Sequence, residues 1–329
     1  MVVGDVEDPV PAFGQVLVKV LACGICGSDL HFVHHGQKMA ALGEELGLPG
    51  GMDFDRPIFM GHEFSAEVLE AGPDTVGPAA GTIVTSIPAM LTMTGPAQLA
   101  YTNDFPAGYS ERMLLSAPLL LEVPNGLDPR HAALTEPMAV GIHAVNRSQV
   151  KPGESAIVVG CGPVGLACIA ALKQKGIETI VAADFSPTRR ALAAGLGATE
   201  VVDPKVEPAI EAWRRVDGRS TPVLFEAVGV PGMLHSAMRD APLNARILVV
   251  GVCMEQDGIQ PFFGISKELN IQFVLGYDPM EFAASLRSIA EGEFDVAPLI
   301  TGSVDVDGTP GAFDALADPE KHCKILVEP

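Results

Sequence analysis

From Ser155 onward the sequence switches repeatedly between two kinds of segment, and this alternation constrains the fold more than any other feature. Short apolar runs at 155–159, 178–183, 199–202, 222–227, 245–250 and 271–275 have the length and composition of strands. Between them the spacing predicts helices over 163–175, 187–195, 208–215 and 231–239. Antiparallel neighbours need only a tight turn, whereas parallel strands need a crossover long enough to hold a helix. The alternation therefore predicts an α/β fold with a doubly wound parallel sheet.

The first strand–helix junction reads Gly160-Cys161-Gly162-Pro163-Val164-Gly165. Gly160 and Gly162 permit a tight turn and close approach of backbone to a pyrophosphate, and Gly165 lets the following helix lie against the strand. Pro163 falls in the first helical turn, where its missing N–H costs nothing. A diphosphate would rest on that helix N-terminus, beside Val164. Asp184 ends the next strand, in Val181-Ala-Ala-Asp184. A carboxylate there accepts hydrogen bonds from ribose hydroxyls and repels a 2′-phosphate, which favours NAD over NADP. Arg189 and Arg190 follow closely and could receive a phosphate or stack on adenine. The stretch Ser155 to Leu172 is nearly free of polar side chains, but its glycines and proline divide it into strand, turn and helix rather than a membrane span.

The N-terminal part has a different texture. Gln15 to Cys23, Phe64 to Glu70 and Thr82 to Ile87 read as strands among short turns, up to about residue 125. Residues 33–57 and 88–108, rich in Gly, Pro or Met, read as long loops. Ala132 to Val145 and Phe282 to Ala290 read as helices, and the tail after Val296 returns to turn-rich strand.

Two short motifs in this part carry metal chemistry. Cys26-Gly27-Ser28-Asp29-Leu30-His31 and Gly61-His62-Glu63 supply a thiol, an imidazole and a carboxylate from separate places. Cys26, His62 and Glu63 suit Zn²⁺, which takes mixed S, N and O ligands and keeps a position open when it is catalytic. His62 and Glu63 are adjacent and converge on one ion only where the backbone bends, and Gly61 supplies that freedom. Cys23 ends the apolar strand and reads as a small core residue. Glu136 lies in an otherwise apolar helical run, where an unpaired carboxylate is costly to bury. A metal or a cationic partner would resolve that conflict.

Composition narrows the partners. Forty-one acidic against 21 basic residues give a formal charge of -20. That argues against nucleic acid or an anionic membrane as a partner, because phosphate binding needs Lys and Arg to displace counterions. Six scattered cysteines form no disulfide framework and fit a reducing compartment. The N-terminus lacks the basic start and long apolar core of a signal peptide. The expected location is cytoplasmic.

These residues together resemble the zinc-dependent medium-chain alcohol and polyol dehydrogenases, most closely the sorbitol dehydrogenase-like branch. The resemblance covers nearly the whole chain: Cys26 to His31, Gly61 to Glu63, Glu136-Pro137, the glycine motif with Asp184, Phe225-Glu-Ala-Val-Gly229, and the closing Lys324-Ile-Leu-Val-Glu-Pro329. It implies a Rossmann NAD-binding domain over 138–276 and a mainly β, GroES-like catalytic domain over 1–137 and 277–329. It also implies hydride transfer between NAD and a secondary alcohol, diol or polyol, or the matching ketone. In that family Cys26, His62 and Glu63 would bind the catalytic zinc, and Glu136 would bind it directly or through water. Ser28 would share the substrate's proton, His31 would pass it outward, and Asp29 would orient His62. Gly160, Gly162, Pro163, Val164, Gly165, Asp184, Arg189, Val228 and Gly251 would bind the cofactor. Subunits of the family usually associate through their cofactor sheets, so a homodimer or homotetramer is expected, with 271–275 as the candidate edge.

Four departures from the family stand out. No cysteine lies between Ile87 and Tyr109, where many members hold a structural zinc, so one zinc per chain is expected. The stretch from His31 to His62 is longer than usual, which changes the rim of the pocket. Ala66 replaces a customary glycine. A first strand is expected to be missing, which would leave an edge unpaired. Met39, Met52, Phe54, Met90 and Met93 would either line an apolar substrate pocket or pack within loops. Two rival readings use the same fold: a zinc-free NADPH quinone or enone reductase, and a non-catalytic nucleotide-binding protein. Cys26, Glu63 and Asp184 speak against the first, and Ser28 with His31 against the second.

Overall fold

The computed structural model describes residues 1–47 and 51–329. Two sheets organise the chain. The six apolar runs of the second half form one all-parallel sheet, in the order Glu200–Val202, Thr179–Ala183, Ser155–Val159, Val223–Glu226, Arg246–Val249 and Asn270–Phe273. Chain order runs outward in both directions from Ser155–Val159. The topological switch point therefore lies between that strand and Val223–Glu226, which is where ligands bind in open α/β sheets. Each predicted helix of this region is present within two residues of its expected limits: Pro163–Gln174, Pro187–Gly195, Ala209–Val216 and Met233–Asp240. One further helix, Pro261–Lys267, was not expected from the sequence.

The second sheet is mixed and centres on Gln15–Gly24. That strand pairs antiparallel with Glu63–Ala71, with Arg112–Ser116 and with Lys324–Val327. Ile83–Ser86 and Leu120–Glu122 extend the sheet on one side, and Ile300–Val304 joins Lys324–Val327 in parallel on the other. The expected unpaired edge is thus not at Gln15–Gly24, which has partners along both sides. Lys324–Val327 brings the far end of the chain against the strand that leads into Cys26.

Two loop expectations need correction. Residues 33–57 were expected to be irregular, yet a helix runs over Gly27–Glu45, with a kink at His35. Residues 48–50 of that stretch lie outside those described. Residues 88–108 contain a small hairpin, Ala89–Thr92 with Gly95–Gln98.

One apolar cluster joins the two sheets. Met138, Ile142 and Val145 of Thr135–Ser148 meet Leu166 and Ile169 of Pro163–Gln174, and the same cluster includes Ala22 and Leu326 of the mixed sheet. No helix of the described residues is long and apolar enough to cross a membrane. All six cysteines are free, and Cys23 is fully buried, as a core residue should be.

Candidate active site

Cys26 sits at the N-cap of the helix Gly27–Glu45, just beyond the strand Gln15–Gly24. His62 and Glu63 enter from the start of the paired strand Glu63–Ala71. The bend before them depends on Gly61, whose φ is +99° and where a Cβ would fall 2.7 Å from Tyr109 N. The result is convergence: one ligand atom from each of Cys26, His62 and Glu63 lies within 4.8 Å of the others.

Asp29 ties this cluster together from below. It is fully buried and accepts from Cys26 N at 3.0 Å, the Tyr109 hydroxyl at 2.6 Å and the Tyr101 hydroxyl at 2.8 Å. His62 Nδ1 lies 3.5 Å from Asp29 Oδ1, close enough for charge attraction but without hydrogen-bond geometry. Burial opposes charge on both groups. Their mutual attraction outweighs it, so the His62 pKa is held well above the ordinary histidine range and the Asp29 pKa below the usual carboxylate range. His62 Nε2 makes only a long 3.5 Å approach to Ser28 Oγ. A nine-tenths buried imidazole with no close hydrogen bond at either nitrogen, beside a thiol and a carboxylate, is a donor set that fits zinc.

The carboxylate of Glu63 has a second claimant. Lys324 Nζ lies 2.7 and 2.6 Å from its two oxygens and also donates to Ile25 O at 2.9 Å. Both side chains are almost wholly buried, at 1% and 0% exposure. Glu136, in the first turn of Thr135–Ser148, is not one of the converging trio, but it is near enough to feel the charges of His62 and Glu63. Burial, with help from the Glu63 carboxylate, pushes Glu136 up to about 7 despite the opposing pull of His62. His31 stands half-buried on the helix that Cys26 caps, and burial followed by His35 and His34 lowers its pKa. A lowered pKa favours the neutral ring, so a proton that reaches it is readily passed on.

The dinucleotide motif lies at the switch point of the parallel sheet. Gly162 is the N-cap of Pro163–Gln174, and a Cβ on it would meet nothing within 4 Å, which leaves the helix N-terminus open to a ligand. A Cβ on Gly165 would fall 1.9 Å from Gly160 O, so only glycine lets that helix start so near the strand. Asp184 accepts from Cys161 N and Ser186 N, both at 2.8 Å, which fixes its carboxylate at the mouth of the turn. Arg190 is committed to the carbonyls of Asp184 and Phe185 and lies 3.6 Å from Asp203. Arg189 keeps a buried Nε without a partner among the described residues. Val228 N donates to Glu226 Oε1 at 2.7 Å, and Gly251 N donates to Glu226 O at 2.9 Å. A Cβ on Gly160 would fall 2.8 Å from Val228 Cγ2 and one on Gly251 2.9 Å from Val228 C, so these residues lie beside the glycine motif. The open helix end, the close glycine turn and the acid at the strand end fit a dinucleotide.

Sequence reasoning gave no role to Tyr101, Tyr109 or Lys324. A signal existed: the chain has only three tyrosines. Two of them donate to Asp29, and the third, Tyr277, lies beside Glu136. The apolar-pocket reading loses two members. Met90 is fully buried in the core of the mixed sheet, and Met93 is fully exposed at the tip of the hairpin.

Comparison with known proteins agrees with this geometry. Residues 12–125 match the alcohol dehydrogenase GroES-like domain, and residues 163–291 match the zinc-binding dehydrogenase domain. An (R,R)-butanediol dehydrogenase of Bacillus subtilis is 34% identical over 98% of this chain and 95% of its own length. A sorbitol dehydrogenase of the same organism is 27% identical over 98% of this chain and 92% of its own. The crystal structure of 2R,3R-butanediol dehydrogenase from Bacillus subtilis superposes with a TM-score of 0.84 at 32% identity, covering 99% of this chain and 95% of that one. With a thiol–imidazole–carboxylate trio beside a Rossmann crevice, and with relatives aligned along nearly its full length, this chain belongs to the zinc-containing medium-chain alcohol and polyol dehydrogenases.

Proposed function

We propose that this protein is an NAD-dependent dehydrogenase that interconverts a secondary alcohol, diol or polyol with the matching ketone at a single zinc. The observation that carries this reading is the convergence of Cys26, His62 and Glu63 within 4.8 Å. Cys26 and His62 would hold the metal, with an acidic oxygen from Glu63 or Glu136. Bound zinc would lower the pKa of an alcohol and polarise a carbonyl, and a bound dinucleotide would take or give the hydride. The chain's own residues would handle the proton: Ser28 stands beside His62, and His31 would pass the proton outward. Asp184 supports NAD over NADP, since a fixed carboxylate at the ribose end repels a 2′-phosphate, and Arg190 is already engaged. The butanediol and sorbitol dehydrogenases among the relatives favour diols and polyols as the first substrates to test. We also propose association of identical subunits through the parallel-sheet edge.

The test is a panel of secondary alcohols, vicinal diols and polyols, followed as NADH absorbance beside metal analysis. The expected result is one zinc per chain and NADH formation, both abolished by Cys26→Ala or His62→Ala. Full turnover in a zinc-free variant would overturn the reading.

A further inference from the structure

Tyr101 adopts a backbone conformation that a tyrosine keeps only when its surroundings impose it. Its φ is +58°, in the left-handed region that side chains other than Asn and Asp seldom enter. A bridge fixes it there: Tyr101 N donates to Phe59 O and Phe59 N to Thr102 O, each at 2.8 Å. Held this way, the ring stacks on Phe32 with centroids 4.6 Å apart and lies 5.9 Å from the His62 ring. Backbone strain beside a site is a reason to look for a role.

The role is visible at the hydroxyl, which has one proton and two neighbours. Asp29 Oδ1 is 2.8 Å away and Ser28 Oγ is 3.0 Å away. An ionised carboxylate can only accept, whereas a serine can do either. The phenolic proton therefore goes to Asp29, and the phenol oxygen is left to accept from Ser28. With its own proton so engaged, Ser28 has lone pairs free on the side of His62 Nε2, 3.5 Å away.

We propose that Tyr101 is a positioning residue that fixes the Ser28 hydroxyl as a hydrogen-bond acceptor facing the substrate's hydroxyl. This rests on the dehydrogenase reading above and deepens it with a residue that no sequence motif marks. Phenylalanine at this position would keep the stack on Phe32 and lose only the hydroxyl.

The experiment is a double-mutant cycle of Tyr101→Phe and Ser28→Ala. With the best alcohol of the panel, Tyr101→Phe should lower kcat by about tenfold while KM and zinc content stay at wild-type values. The double variant should be no slower than Ser28→Ala alone. A second arm needs no turnover: in the metal-free proteins, the two single shifts in urea midpoint should sum to more than the shift of the double variant. Additive effects in both arms would overturn the proposal, as would a loss of activity in Tyr101→Phe that tracks a loss of zinc. If the midpoints couple but the zinc-loaded wild type turns over no alcohol, the Tyr101–Ser28 link stands and the dehydrogenase reading falls.

Discussion

At the scale of single residues, the most consequential contact is the ion pair between Lys324 and Glu63. Both groups are out of water, and such a pair offsets its desolvation only while both partners remain. Lys324→Met keeps the apolar stem and removes the ammonium. In the metal-free protein it should cost about 3–5 kcal/mol, because the Glu63 carboxylate is left buried and alone. Zinc should then raise the thermal midpoint of the variant more than that of the wild type, since the freed carboxylate can turn to the metal. Equal zinc-induced shifts would show that Glu63 never competes between the two cations. Cys26, His62 and Glu63 were legible in the sequence because their residue types are chemically specific and their local motifs are compact. Lys324 and Tyr101 were not, because each reaches the site through strand pairing or a bridge with a distant segment. Nothing local marks a lysine at the start of an apolar strand as an anion's partner.

At the scale of elements, the strand–helix alternation from Ser155 was readable to within two residues, because buried parallel strands and their helices both leave strong apolar patterns. The helix Gly27–Glu45 was misread for the opposite reason. Only Asp29, Phe32 and Gly36 of it are buried, so its periodicity is faint. Gly36 lies inside this helix, and a Cβ there would press to 3.2–3.3 Å on the rings of Phe32 and Phe54. It serves packing, not a turn. The same logic is stronger where Thr135–Ser148 crosses Pro163–Gln174. A Cβ on Gly141 would fall 2.4 Å from the carbonyl carbon of Ala167, which is backbone and cannot swing aside. Gly141→Val should therefore push the two helices apart and cost about 1–3 kcal/mol or more, seen as a lowered thermal midpoint. Gly195→Ala is the matched control. Its Cβ would meet nothing within 4 Å, and the midpoint should hold or rise.

At the scale of the whole molecule, two features pull in opposite directions. The parallel sheet ends at Asn270–Phe273, with Phe273 and Leu275 at 68% and 88% exposure. An open edge carrying large apolar side chains is a template for another chain. Against it stands a formal charge of -20 on every copy. Repulsion between copies is screened beyond about 8 Å at physiological ionic strength, whereas apolar burial is not. Association should therefore tighten as salt rises, and light scattering should show Phe273→Glu with Leu275→Asp reduced to the single-chain mass with zinc content unchanged. Finally, Lys324 follows Glu63 by 261 residues along the chain. A ribosome delivers Cys26, His62 and Glu63 long before it delivers the lysine that neutralises Glu63. Until then the Glu63 carboxylate has no buried ammonium against it. A chain clipped before residue 324 would keep every proposed ligand yet lose the cation that neutralises Glu63.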